Sequence, residues 1–233
     1  MIDLIALDAD DTLWQNEINY RRAERRFYEM LAPYAETGTV ERRLFEIETY
    51  NLPYFGYGIK GFVLSMIETA VSLTDGQFGG KQVQAIVDLG REMTQAPVEL
   101  LPGVAETVEA LAARRPLMLL TKGDLLDQEA KVARSGLADH FAYVEIVSKK
   151  DAPTYAALLA AHGIAPARFL MVGNSLKSDV LPVLAIGGQA VHIPHHLTWT
   201  HEEAPAHEIE GAAYHTLDRF DQLPALLDAL IGA

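Results

Sequence analysis

The chain has 233 residues, 49% of them hydrophobic, with unexceptional Gly and Pro content, which predicts an ordinary soluble globule with room for one core and an inserted unit. A formal net charge of -13, with no basic stripe carrying interleaved aromatics, argues against nucleic acid as a partner. The lack of cysteine excludes disulfides, thiol nucleophiles and thiolate metal sites. No apolar run reaches the roughly 20 residues of a membrane helix, and no basic-then-apolar leader opens the chain, so a cytoplasmic home is expected.

In chain order, "LIAL" (Leu4 to Leu7) reads as a buried strand. From Asn16 to about Gln95 the pattern is helical. One stripe holds Tyr20, Ala23, Phe27, Leu31 and Tyr34, a second Phe62, Met66, Ala70 and Leu73, and a third Val83, Ile86, Gly90 and Met93. From Pro97 onward helices and short apolar runs alternate: helix Val104 to Ala113, strand "PLMLLT", helix Leu126 to Ser135, strand "YVEIV", helix Tyr155 to His162, strand "FLMVG", helix Val180 to Ile186, strand "AVHI". Gly136, Gly163 and Gly187 stand where helices should stop. This order predicts an α/β fold: a doubly wound, Rossmann-like parallel sheet formed by 1–13 and 97–233, with an all-helical insertion over 14–96.

Ligands of such sheets bind beyond the carboxyl ends of the strands. Asp8 to Thr12, Thr121 to Asp124, Lys149 with Lys150, and Asn174 to Asp179 all follow strand ends. One crevice would then gather several carboxylates, a hydroxyl and one or two ammonium groups, an inventory suited to metal-assisted phosphoryl chemistry.

The same residues carry a family resemblance. "DADDT" resembles the first signature, D-x-D-x-T, of the haloacid dehalogenase-like superfamily. "LLT" followed by "KGD" is similar to its second, the lysine of "SKKD" to its third and "VGNSLKSD" to its fourth. The motifs occur in order, each after an expected strand, and the helical block falls where the family inserts a cap domain.

The resemblance implies a Mg²⁺-dependent phosphatase acting on a small phosphorylated metabolite. Asp8 would be the nucleophile, forming an aspartyl-phosphate, and Asp10 the acid and then the base. Thr121 and the N–H groups after it, at Lys122 and Gly123, would cradle phosphoryl oxygens together with the loop N–H groups from Ala9 to Thr12. Lys150, or Lys149, would neutralise developing charge. The metal ligands would be Asp8, the Asp10 carbonyl, and Asn174 and Asp179 of the fourth motif, where Asn174 replaces a commoner aspartate. Two other readings share the scaffold: a dehalogenase attacking carbon, a branch in which the second aspartate is absent and no metal is needed, and a binding protein without turnover.

Other features read as structural. Asp11, where Gly is common, should tolerate a positive φ. "GYGIKG" (Gly56 to Gly61) matches a dinucleotide pattern but lacks a preceding strand, and reads as a flexible loop, with Tyr57 and Lys60 at the surface. His192, His195, His196 and His201 read as solvated loop residues, and "DQLPALLDAL" as a closing helix.

Overall fold

A computed structural model describes residues 2–197, 199, 202 and 204–232. The chain divides into two compact units. The first comprises Met1–Glu17, Val98–Lys122 and Gln128–Ala233; the second comprises Ile18–Pro97 and Gly123–Asp127.

The first unit is built on a six-stranded sheet in the order β3-β2-β1-β4-β5-β6. Its strands are β1 (Leu4–Leu7), β2 (Leu117–Lys122), β3 (Tyr143–Val147), β4 (Phe169–Gly173), β5 (Gln189–His192) and β6 (His215–Thr216). Every neighbouring pair is parallel. This is the doubly wound α/β order, whose direction of winding reverses beside β1.

Alternate residues of the strands feed two separate cores. Ile5, Leu7, Leu117, Leu119, Leu170, Val172 and Val191 pack on one face against α5 (Val104–Ala112), α6 (Leu125–Arg134) and α10 (Leu223–Gly232), through Val108, Val132 and Leu227. Leu4, Ala6, Met118, Leu120, Phe169 and Met171 pack on the other against α7 (Ala152–Ala161) and α8 (Leu181–Ala185), through Tyr155, Leu159 and Val183. Burial on both faces explains why these strands read as continuous apolar runs. A short α9 (Ala206–Ile209) lies between β5 and β6.

The second unit contains α1 (Glu17–Leu31, from its second residue), α2 (Thr37–Phe55), α3 (Ile59–Leu73) and α4 (Gly80–Gln95) around Phe27, Leu31, Leu44, Phe62, Met66, Ala70 and Ile86. The three stripes expected from the sequence correspond to α1, α3 and α4. Helix α2 has no comparable signature, because its interior holds the polar Asn51 and its last turn holds Pro53. Asn51 is buried, and its amide donates to Ser65 Oγ (3.2 Å) and Glu68 Oε2 (2.9 Å).

"GYGIKG" is only half a loop: Gly58 caps α3, and Ile59 to Gly61 form its first turn. Exposed Lys60 pairs with Asp124 at 2.9 Å, and Gly58 packs against Asp124. These contacts explain why Gly123–Asp127, expected in the α/β unit, groups with the helices. In the first unit, the chain leaves and returns side by side, with Leu101 N donating to Leu13 O and Gln15 N to Glu99 O, both at 2.9 Å.

Candidate active site

Register brings the site together. Leu7 pairs with both Leu119 and Val172, so the segments after β1, β2 and β4 leave the same edge of the sheet. Asp8 is the first residue beyond β1, and its N–H donates to Val172 O at 2.9 Å. A tight turn follows, in which the Ala9 carbonyl accepts from the N–H groups of Thr12, Leu13 and Trp14.

Asp11 sits in this turn at φ 60°. Its carboxylate accepts from the N–H groups of Asn16 (2.9 Å) and Glu17 (3.0 Å), the start of α1. Asp11 is therefore an anchor for two helix-terminal donors, and burial pushes its carboxyl up to about 6 against those bonds. Asp11→Ala should cost about 1–2 kcal/mol, the usual effect of losing such a cap, measurable by urea denaturation.

The turn also takes two donors out of the expected phosphate cradle. The Asp11 N–H donates to Trp14 O (2.8 Å) and the Thr12 N–H to Ala9 O (3.2 Å), so the turn itself consumes both donors. Thr12 instead offers its hydroxyl, which reaches Asp8 Oδ2 at 2.9 Å and Asn174 Oδ1 at 3.3 Å.

Lys150 bridges two carboxylates. Its ammonium pairs with Asp8 Oδ1 and donates to Asp179 Oδ1 at 2.7 Å, and its side chain is only 2% exposed. Lys149, the alternative lysine, is exposed. The next residue fixes this choice. Asp151 caps α7 by accepting from Thr154 N and Oγ1, which starts the helix just beyond Lys150. Burial, then the neighbouring Asp179 carboxylate, push Asp8 up to about 7 against the pull of Lys150. Burial alone would lower Lys150, but Asp179 and Asp8 together raise it, so the amine stays charged.

Asp179 lies in a turn of π-helix, Leu176–Val180, ahead of the helix that the sequence suggests from Val180. Its Oδ2 accepts from Ser175 N at 3.0 Å, and the Tyr155 hydroxyl braces the turn by donating to Ser178 O at 2.9 Å. Gly173 is required here for space: a Cβ would lie 2.2 Å from Asp179 Oδ2. Gly173→Ala should therefore displace the carboxylate and destabilise the protein by about 1–3 kcal/mol, read from chemical denaturation.

Asp10 is engaged elsewhere. It accepts from Trp14 Nε1 (2.7 Å), Gln128 Nε2 (2.8 Å) and Lys131 Nζ (3.1 Å), and Lys131 also donates to Asn16 Oδ1 at 2.9 Å. Gln128 and Lys131 were not singled out from the sequence. Their spacing of three on α6, facing one carboxylate, is the only trace they leave in it.

Thr121 is buried at the end of β2, beside Lys122. Lys122 donates to Ser178 Oγ at 2.8 Å and pairs with Glu202, a residue the sequence did not single out. Gly123, at φ 139°, begins the segment that groups with the helices. The histidines do not behave as solvated loop residues throughout. His192 is on β5, half-buried, and donates to Asn174 O at 3.0 Å, with burial lowering its basicity. The His195 side chain is 6% exposed and 3.7 Å from Asp11, while His201 lies outside the described residues.

The donor set fits a hard cation better than a transition metal. Among the described residues no three His, Cys, Asp or Glu side chains gather around one point. Asp8 Oδ2 and Asn174 Oδ1 nevertheless converge on one Thr12 hydroxyl, and Asp179 shares the Lys150 ammonium with Asp8. Two carboxylates and an amide oxygen are hard donors of the kind Mg²⁺ accepts when further oxygens from substrate and water complete its shell.

The fold agrees with the comparisons. The family model for haloacid dehalogenase-like hydrolases matches residues 2–187, and the chain belongs to that family of hydrolases. Its structure is similar to a haloacid dehalogenase-like family hydrolase from Xanthomonas campestris, at 42% identity and TM-score 0.87, covering 98% of this chain and 91% of that one. A 2-haloacid dehalogenase from Pseudomonas syringae pv. Tomato shares the fold at 23% identity and TM-score 0.65, over 99% of this chain and 100% of that one. So does YfnB from Bacillus subtilis, described as a HAD-hydrolase bound to magnesium, at 14% identity and TM-score 0.70, over 97% and 99%. No curated protein matches the sequence. No helix among the described residues is long and apolar enough to cross a membrane.

Proposed function

We propose that the protein is a Mg²⁺-dependent phosphatase that hydrolyses a small phosphorylated metabolite through an aspartyl-phosphate. The observation carrying this reading is the pair Asp8 and Asp10 on one strand-end turn, one bound to Lys150 and the other to Lys131. The two carboxylates meet different partners, which suits separate nucleophile and proton-transfer roles.

In this scheme an Asp8 oxygen bonds to phosphorus as the ester oxygen departs with a proton from Asp10. Asp10, once deprotonated, removes a proton from water. That water attacks phosphorus, and inorganic phosphate leaves as the Asp8 carboxylate is restored. Asp10 must first turn from Lys131 and Gln128 toward the leaving oxygen. Lys150 balances charge on Asp8 and Asp179, and the Thr12 and Thr121 hydroxyls orient phosphoryl oxygens. Mg²⁺, held by Asp8, Asp179, Asn174 and the Asp10 carbonyl, would supply further neutralisation of phosphate charge.

A dehalogenase reading has one observation in its favour: the Lys150 ammonium pairs with both Asp8 and Asp179. Hydrolysis of an aryl phosphate, with and without Mg²⁺ and beside Asp8→Asn, separates the two. Activity indifferent to both EDTA and the substitution would sink the phosphatase reading, and halide release from a 2-haloacid would establish the other.

A further inference from the structure

We infer that Lys122, Ser175 and Ser178 form an oxyanion-binding site that Glu202 closes with its own carboxylate, and that a small oxyanion such as phosphate enters by displacing Glu202.

The donors come from different parts of the sheet edge. Lys122 ends β2, and Ser175 and Ser178 lie in the turn after β4. All three meet one carboxylate: Ser175 Oγ donates to Glu202 Oε2 at 2.6 Å, Ser178 Oγ to the same oxygen at 2.5 Å, and Lys122 pairs with Oε1. Other bonds tie the cluster together. Ser175 Oγ accepts from Ser178 N (3.0 Å), and Ser178 Oγ accepts from Lys122 Nζ (2.8 Å). An ionised carboxylate can only accept, so both hydroxyls donate to Glu202 while accepting those bonds, and their protons and the ammonium point at a single anion.

Such a cluster selects negative charge and oxygen, and it does so whatever chain the oxygens belong to. Glu202 supplies them from the connection between β5 and α9 rather than from a helix or strand of the core. The site also adjoins the candidate catalytic residues in sequence: Lys122 follows Thr121, Ser175 follows Asn174, and Ser178 precedes Asp179. A tethered carboxylate there lowers the apparent affinity for any free oxyanion by the fraction of time the site is closed.

The inference concerns binding and stands apart from the phosphatase reading, whose failure would show in turnover alone. The test is titration of the full chain with inorganic phosphate in EDTA buffer, followed by calorimetry, for wild type, Glu202→Gln, Glu202→Ala and the double variant Glu202→Gln/Lys122→Met. Either Glu202 variant should bind phosphate at least about tenfold more tightly than wild type, and the double variant should lose that gain. Unchanged or weaker binding in the folded Glu202 variants would overturn the inference and leave Glu202 as a structural clasp. Failure of both variants to fold would overturn it too, since a carboxylate the fold requires cannot be displaced.

Discussion

Asp8→Asn should reduce turnover by at least about 10⁴-fold while leaving the protein folded, because in the proposed scheme it removes the nucleophile, a loss that costs on that order whatever else the site retains. An amide matches the carboxylate in size but cannot form the acyl-phosphate. The fold survives for an electrostatic reason. Asp8 is buried beside Asp179, and Lys150 keeps Asp179 as a partner when the Asp8 charge is removed.

The same variant carries a pH signature in metal-free buffer. The folded-state value for Asp8, about 7, lies above the ordinary 3.8, so the folded wild type holds a proton that the unfolded chain releases between those values. The contribution of this group to stability is thus present at low pH and lost as pH rises from about 4 to about 7. The amide that replaces it does not titrate. Relative to wild type, the variant should gain stability across that window and level off above it, as read from urea midpoints in a pH series.

Lys150→Met should be the most destabilising single change in the site, by about 3–5 kcal/mol, because it leaves the Asp8 and Asp179 carboxylates buried without their shared cation. The cost should fall in acid, where Asp8 is protonated. It should also fall on adding Mg²⁺, by more than any effect of Mg²⁺ on wild type, if the cation binds as proposed. Thermal melts with and without MgCl₂ provide the measurement, and an identical response of variant and wild type would count against the cation site. Turnover should fall as well, but stability gives a readout that does not depend on knowing the substrate.

The energetic weight of this lysine shows why the site was only partly legible. The first turn is written locally: Asp8, Asp11 and Thr12 act within a few residues of their own positions, so composition and spacing reveal them. Lys149 and Lys150 are indistinguishable on such terms. The choice is made by Asp151 starting α7 and by two carboxylates, one 142 residues away in the chain, that meet Lys150 only after β1 and β4 pair. Asp10 is similar. Its place in the motif is plain, but its partner Lys131 is 121 residues distant and reaches it only once the sheet is assembled.

The strands and the helices beside them are written in the chain itself, since strands covered on both faces must be apolar throughout and helices between them must stop at glycines such as Gly136 and Gly163. So is the order of the four strand-end motifs, and hence the family. Four features wait for the assembled fold: which lysine is buried, the clamping of Asp10 by Trp14, Gln128 and Lys131, the use of the Asp11 and Thr12 N–H groups within the turn, and the filling of the Lys122, Ser175 and Ser178 donors by Glu202. Periodicity records which face of an element is buried. The pairing of charges records which elements lie side by side, and that is fixed by sheet order and register rather than by any local pattern.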